Sequence, residues 1–274
     1  MKKRVTVFVM MTVMVVMLAA ACGKKEAGEG GTFKVGMEAD YPPFNWTQID
    51  KSNGAVPIDG AKEYAGGYDV EIAKKIAEGL GKELVIVKTD WEGLGPALIS
   101  GKIDAIVAGM SPTAERKESI DFSDNYYESD LVIVVQKGGA YENATKLSDF
   151  AGAKITAQLN TFHYSVIDQI EGVNKQTAMN NFTAMRVALE SGVIDGYVSE
   201  RPEGVSATAA NDKFAMVVFE DGFETSPDDT AIAVGIKKDS DMTEDINKIL
   251  AGIPEEERLK IMGEAIKNQP AASE

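Results

Sequence analysis

Two groups of polar residues in this 274-residue chain have the types and spacing to do chemistry together. The first is Gly109-Met-Ser111-Pro-Thr113-Ala-Glu-Arg116. A guanidinium matches a carboxylate with two parallel N–H donors, and Ser111 and Thr113 fall where a helix would begin, so free N–H groups there could receive an anion. Gly109 allows close backbone approach. Alone, Arg116 would read as a surface partner of Glu115 or Asp121; with Gly109 and Ser111 it reads as a carboxylate receptor. The second group is Thr161-Phe162, at the start of a candidate helix, together with Glu200, an acid that suits an ammonium group. One anion-binding edge and one acid that meets a cation are what a zwitterion requires.

Two further segments supply walls. Glu38-Ala-Asp40-Tyr41-Pro-Pro-Phe44-Asn-Trp46 contains prolines that rule out helix, so the acids and aromatics are expected on a loop. Thr89-Asp90-Trp91 follows the apolar run ELVIVK. Glu38, Tyr41 and Trp91 are expected to face a ligand side chain, where a cation over a ring adds roughly 0.5 to 2 kcal/mol. Phe44 and Trp46 are expected in the core.

The elements that position these groups are announced by a repeat. ALISGKIDAIVAG at 97–109 returns as ALESGVIDGYVSE at 188–200, in register and 91 residues apart. Each copy reads as a helix end, a Ser-Gly turn and a buried parallel strand, and ligands of open α/β sheets gather outside the carboxyl ends of such strands. The first copy ends at Gly109 and the second at Glu200. Around them, short β-rich runs (FKVGM, ELVIVK, LVIVVQ, KITAQ, FAMVVF, TAIAVGI) alternate with helical stretches, which implies an α/β fold. The stretch 69–80 places Ile72, Ala73, Ile76, Ala77 and Leu80 on one face, with Asp69 as N-cap and Gly81 as stop. Helices are also expected at 160–170, 181–190, 241–250 and 255–266.

Composition bounds the function. The chain is 44% apolar and 26% charged, the profile of a globular protein, and its formal charge of −15 argues against a nucleic-acid partner. There is one histidine, His163, expected on a helix near the cleft, and no metalloprotease, nucleophile-elbow or phosphate-loop motif, so no enzyme activity, cofactor or metal is expected. At the N-terminus, Lys2, Lys3 and Arg4 precede an apolar run from Val5 to Ala21 that stops at Cys22, the only cysteine. This reads as a secretion signal over 1–21, the alternative being an uncleaved anchor somewhat short of the roughly 20 residues that span a bilayer. Leu-Ala-Ala-Ala-Cys resembles a bacterial lipobox, with Leu18 one place further from the cysteine than is usual, so Cys22 is expected to carry the lipid (palmitate). Residues 22–31 read as a flexible tether.

As a set, GMEADYPPF, GGYDVEIAKKIA, TDWEGLGPAL, SGKIDAIVAGMSPTAER and IDFSDNYY resemble the polar amino-acid binding proteins that serve ABC importers, solute-binding protein family 3. The resemblance runs from about Phe33 to Ile266. It implies a type II periplasmic-binding-protein-like clamshell, with lobe 1 from 32–128 and 229–270, lobe 2 from 129–228, and a tail at 271–274. Hinge crossings are implied near 127–130 and 228–231. It further implies that Arg116, helped by Gly109, Ser111, Thr161 and Phe162, holds the ligand α-carboxylate, that Glu200 holds the α-amino group, and that Glu38, Tyr41 and Trp91 meet the side chain. The family usually has Asp where this chain has Glu38 and Glu200. Arginine, lysine or histidine is the expected ligand, with glutamine as an alternative. The expected partners are an ABC permease and, through the lipid, the outer face of the cell membrane, with the protein a monomer. The same fold also includes cyclohexadienyl dehydratases, for which Glu200 would be the acid, and a sensor or channel ectodomain is a third class.

Overall fold

The computed structural model describes residues 30–270. The signal segment, Cys22, most of the tether and the tail at 271–274 lie outside the described residues. Two five-stranded sheets share one plan. In lobe 1 the order is Glu83–Lys88, Thr32–Met37, Ala105–Ile106, Ala231–Ile236, Asp121–Glu128; the first three strands are parallel, and the fourth runs antiparallel to both neighbours. Lobe 2 repeats this with Asn174–Lys175, Lys154–Thr156, Gly196–Glu200, Leu131–Gln136 and Phe214–Val217. Two strands of chain cross between the lobes side by side: Ala231 pairs with Glu128, and Ser129 N–H donates to the Thr230 carbonyl at 3.0 Å.

The repeated sequence has a mechanical explanation. The helices Trp91–Ser100 and Phe182–Glu190 are followed by left-handed glycines, Gly101 (φ 76°) and Gly192 (φ 74°). The N–H groups of Lys102 and Val193 then reach back to the carbonyls of Ala97 and Ala188, each at 2.9 Å, closing the last turn. The aspartates two positions on, Asp104 and Asp195, each accept a hydrogen bond at 2.8 Å from the backbone N–H of the adjoining strand's Lys34 or Lys154. Both aspartate N–H groups return a bond of 2.8 Å to the same lysine's carbonyl. Ser-Gly-x-Ile-Asp therefore encodes one joint that docks the third parallel strand against the first in each lobe. In the first copy the ladder is shorter than expected, covering only Ala105–Ile106, and the chain leaves it towards Gly109.

Helix Tyr68–Gly79 buries Val70, Ile72, Ala73, Ile76 and Ala77 on one face and ends before Gly81 in the left-handed region. Asp69 is not its N-cap. Gly67 takes that place, and Asp69 is drawn fully inside by polar partners described below. The segment expected as a loop at 38–46 forms part of a four-stranded antiparallel sheet, in which Asp40–Tyr41 and Asn45–Gln48 pair around the two prolines. Prolines forbid helix yet suit the turn between short strands. Phe44 and Trp46 are buried, as expected of core residues. Helix Arg201–Ala210 was not anticipated: its buried face consists of Pro202, Glu203, Gly204, Ser206 and Ala207, so it carries no apolar stripe to read. Its N-cap is Glu200. The helices Met242–Ala251 and Glu255–Asn268 follow the strand Ala231–Ile236 that returns the chain to lobe 1, and the Gln269 side chain just beyond them bonds Ser206 of lobe 2.

Candidate functional site

The two lobes are shut on one another, and the polar residues singled out in the sequence meet at the seam in two groups. The inner group is a buried knot. Gln158 of lobe 2 donates from Nε2 to both oxygens of Glu38, at 3.2 and 3.0 Å, and to the Asn180 carbonyl at 3.1 Å. The Tyr41 hydroxyl donates to Glu200 Oε2 across the seam, while His163 Nε2 lies 3.0 Å from Glu200 Oε1. The Tyr41 ring stacks on Phe182 at 4.2 Å. Each of these side chains sits at or just beyond the end of a strand or in the first turn of a helix.

The outer group borders a cavity of about 960 Å³ lined by Trp91, Met110, Arg116, Asn160, Thr161 and Phe162 among others. Helix Ala114–Ser119 presents Arg116 and is capped by the Thr113 hydroxyl. The Arg116 guanidinium lies 5.0 Å above the Trp91 ring and donates to the carbonyls of Ser111 (2.9 Å) and Asn160 (3.1 Å). A guanidinium has five N–H donors, so donors remain for an incoming carboxylate. Phe162 lines the cavity and lies 4.3 Å from the His163 ring of the inner group; the inner carboxylates Glu38 and Glu200 are buried behind this wall and do not line the cavity.

Gly109, Trp91, Thr161 and Ser111 each engage groups of the protein itself. Gly109 N–H is not free for an anion, because it donates to the Tyr126 hydroxyl at 3.3 Å. What Gly109 supplies is room: its φ is 61°, and a Cβ there would sit 2.7 Å from Cε1 of Tyr41. The cation over Trp91 is the protein's own Arg116. The Thr161 hydroxyl donates to the Gln158 carbonyl at 2.7 Å, steadying the turn that carries Gln158 and His163. Ser111 is buried, and its carbonyl anchors Arg116. Beneath the knot, Asp69 accepts from Asn45 Nδ2 and from the Tyr126 hydroxyl, each at 2.7 Å, tying the floor to Gly109. Asp69 was missed because its helical spacing gives no hint of a partner 57 residues away. Gln158 was missed because it lies in a run read only as strand.

Burial sets the electrostatics. Glu38 is pushed up to about 7 by withdrawal from water and by the nearby Asp40 and Asp90, against the hydrogen bond from Gln158 and the more distant Lys88. Burial also raises Asp69, to about 6, despite its hydrogen bonds from Tyr126 and Asn45. For Glu200 burial again pushes upwards, yet the charge and hydrogen bond of His163 and the bond from Tyr41 outweigh it and hold the carboxyl below its ordinary range. Arg116 is lowered to about 10 by desolvation, opposed by Glu115, Glu200 and Asp229, and so stays cationic at neutral pH. The seam therefore holds one fixed cation, one carboxylate stabilised as an anion, and one carboxyl poised to ionise near neutrality.

Residues 33–265 match the model of the bacterial extracellular solute-binding proteins, family 3. The chain belongs to that family. This solute-binding protein is 29% identical over 235 residues to the arginine-binding extracellular protein ArtP of Bacillus subtilis, covering 84% of this chain and 85% of that protein. It is 28% identical over 267 residues to the L-cystine-binding protein TcyJ of Escherichia coli, with 93% of each covered. Its fold superposes with a TM-score of 0.76 on an L-arginine-bound amino acid ABC transporter substrate-binding protein from Streptococcus pneumoniae, at 29% identity over 87% of this chain and 94% of that one. The clamshell architecture implied by the motifs is thus the architecture of its structural relatives.

Proposed function

We propose that this solute-binding protein captures a free basic amino acid, with arginine favoured, and presents it to an ABC permease. The observation that carries the reading is the charge layout along the seam between the lobes: Arg116 and Glu38 come from one lobe, and Glu200 comes from the other. Arg116, flanked by Ser111 and Thr161, takes the α-carboxylate. Glu200 takes the α-ammonium in exchange for Tyr41. Glu38, with Gln158, faces the distal end of the side chain, with Tyr41, Trp91 and Phe162 as walls. Gly109 keeps the Tyr41 side of the crevice open to that ring. The identities of ArtP and the arginine-bound relative support a basic ligand; TcyJ shows that relatives of comparable similarity take other amino acids.

The magnitudes are compatible. Micromolar affinity needs about −8 kcal/mol, and charge-assisted hydrogen bonds worth roughly 1.5 to 3 kcal/mol each at the two backbone termini and the side-chain end reach it. Closure of the lobes about the paired crossings near Ser129 and Thr230 would bury the ligand and create the shape a permease reads. We place the protein outside the cytoplasm as a monomer, held by lipid on Cys22. The test is a thermal-shift panel of the twenty amino acids on protein lacking residues 1–22. Ligand at a thousandfold excess over Kd stabilises by about 4 kcal/mol. Shifts with arginine, lysine or histidine are expected; shifts confined to acidic or aliphatic ligands would overturn the reading. Turnover of prephenate or arogenate by the same protein would replace it with the dehydratase reading.

A further inference from the structure

His163 is the chain's single histidine, and the proposed binding role gives it no contact with the ligand. It is buried, at 6% side-chain exposure, beside an equally buried Glu200 at 3%. Its Nε2 lies 3.0 Å from Glu200 Oε1, and both ring nitrogens are buried without an aligned hydrogen-bond partner among the described residues. The second Glu200 oxygen is taken by Tyr41 from the opposite lobe. Both contacts are reached by a glutamate, one methylene longer than the aspartate that the resemblance leads one to expect there. An arriving ammonium group can displace the neutral Tyr41 hydroxyl, which belongs to the other lobe. It cannot displace His163, which is carried by the same lobe as Glu200 and packed against Phe162.

We propose that His163 is a positioning residue for the ligand ammonium, and that its protonation state decides how much negative charge Glu200 presents. This rests on the zwitterion reading above and deepens it. With a neutral imidazole, Glu200 offers a full carboxylate charge. With an imidazolium 3.0 Å away, the pair is formally neutral and an ammonium gains little by approaching. Protonation of the imidazole therefore weakens amino-acid capture and favours release. The charged and titratable groups around the imidazole are few. Glu200 faces it from the end of strand Gly196–Glu200, Tyr41 contacts that carboxylate from lobe 1, and Arg116 acts on Glu200 from the outer group. Asp168, on the turn that continues the histidine's own helix, is exposed and paired with Lys175 at 2.8 Å.

The test compares arginine with 5-guanidinopentanoate, which keeps the guanidinium and carboxylate and lacks the α-ammonium. Calorimetry from pH 8 to pH 5.5 is expected to show arginine losing affinity faster than the desamino compound, by up to about tenfold per pH unit where the imidazole is being protonated. Titration of Glu38 acts on both guanidinium ligands and cancels in their ratio. In His163→Gln, which keeps a polar side chain beside Glu200, the ratio is expected to stay within about twofold across the range. A ratio that varies equally in wild type and variant would overturn the proposal, whereas no binding of arginine at any pH would instead overturn the binding role itself. Should the variant fold poorly, NMR titration of the lone imidazole in the wild-type protein gives the answer. Arginine, by placing a cation on Glu200, is expected to lower the imidazole's pKa; an unchanged titration midpoint would refute the assignment.

Discussion

Replacing Glu38 by Gln keeps the shape of the side chain and removes its charge. In the folded protein the carboxyl titrates near 7 instead of 4.5, chiefly because it is buried. That difference corresponds to about 3 kcal/mol of folded-state cost for the ionised form. Since the folded state binds this proton more tightly than the unfolded state, wild-type stability rises as pH falls through 7 towards 4.5, and above 7 the full cost is present. Ligand-free Glu38→Gln is therefore expected to be more stable than wild type at pH 8 by up to about 3 kcal/mol, with each kcal/mol worth about 2–4 °C in Tm. The gain should fall below about 1 kcal/mol at pH 5. Binding should move the other way. Loss of a charge-assisted bond to a guanidinium, worth roughly 1.5 to 3 kcal/mol, weakens arginine about 10- to 150-fold at pH 8, and the gap narrows at pH 5. Thermal melts and calorimetry at the two pH values read both effects. A variant that melts below wild type at pH 8, or binds arginine there with unchanged Kd, would refute the reasoning.

Other consequences follow from named contacts. Gly109→Ala places a methyl 2.7 Å from the Tyr41 ring at a φ of 61°, and is expected to cost about 1–3 kcal/mol in chemical denaturation and to weaken ligand binding by displacing Tyr41. Asp69→Ala leaves Asn45 and the Tyr126 hydroxyl without their buried acceptor, with an expected loss of about 2–4 kcal/mol; Asp69→Asn should lose less. Cys22→Ser should move the protein from the membrane fraction to the medium or periplasm in a fractionation experiment, and retention in membranes would favour an uncleaved anchor.

Much of this fold was legible because its signals are local. The helical face at Ile72, Ala73, Ile76 and Ala77, the left-handed stops at Gly81, Gly101 and Gly192, and the apolar runs 131–136 and 231–236 each declare their element within a few residues. The repeat pointed to two equivalent sheet edges, and its aspartates hold strands together. Helix Arg201–Ala210 was hidden by its small and polar buried face. In the site, Arg116, Trp91 and Thr161 border one cavity, Tyr41 meets Glu200, and Glu38 meets Gln158. That Gln158 would engage Glu38, 120 residues away, depends on how two lobes close, and that Arg116 would cover Trp91 depends on packing within lobe 1. No periodicity records such contacts. Gly109 shows the same boundary from the other side: the residue type was read correctly as allowing close approach, while the group that approaches, Tyr41, came only from the tertiary structure.

The guanidinium of Arg116 is the one fixed positive charge for which the account has a ligand role, and Arg116→Ala is the most direct perturbation of it. Titration calorimetry of arginine at pH 8 against wild type and this variant should show affinity falling by at least about a hundredfold, as expected when a bidentate, charge-assisted partner of a carboxylate is removed. An unchanged Kd in a folded Arg116→Ala protein would contradict the account.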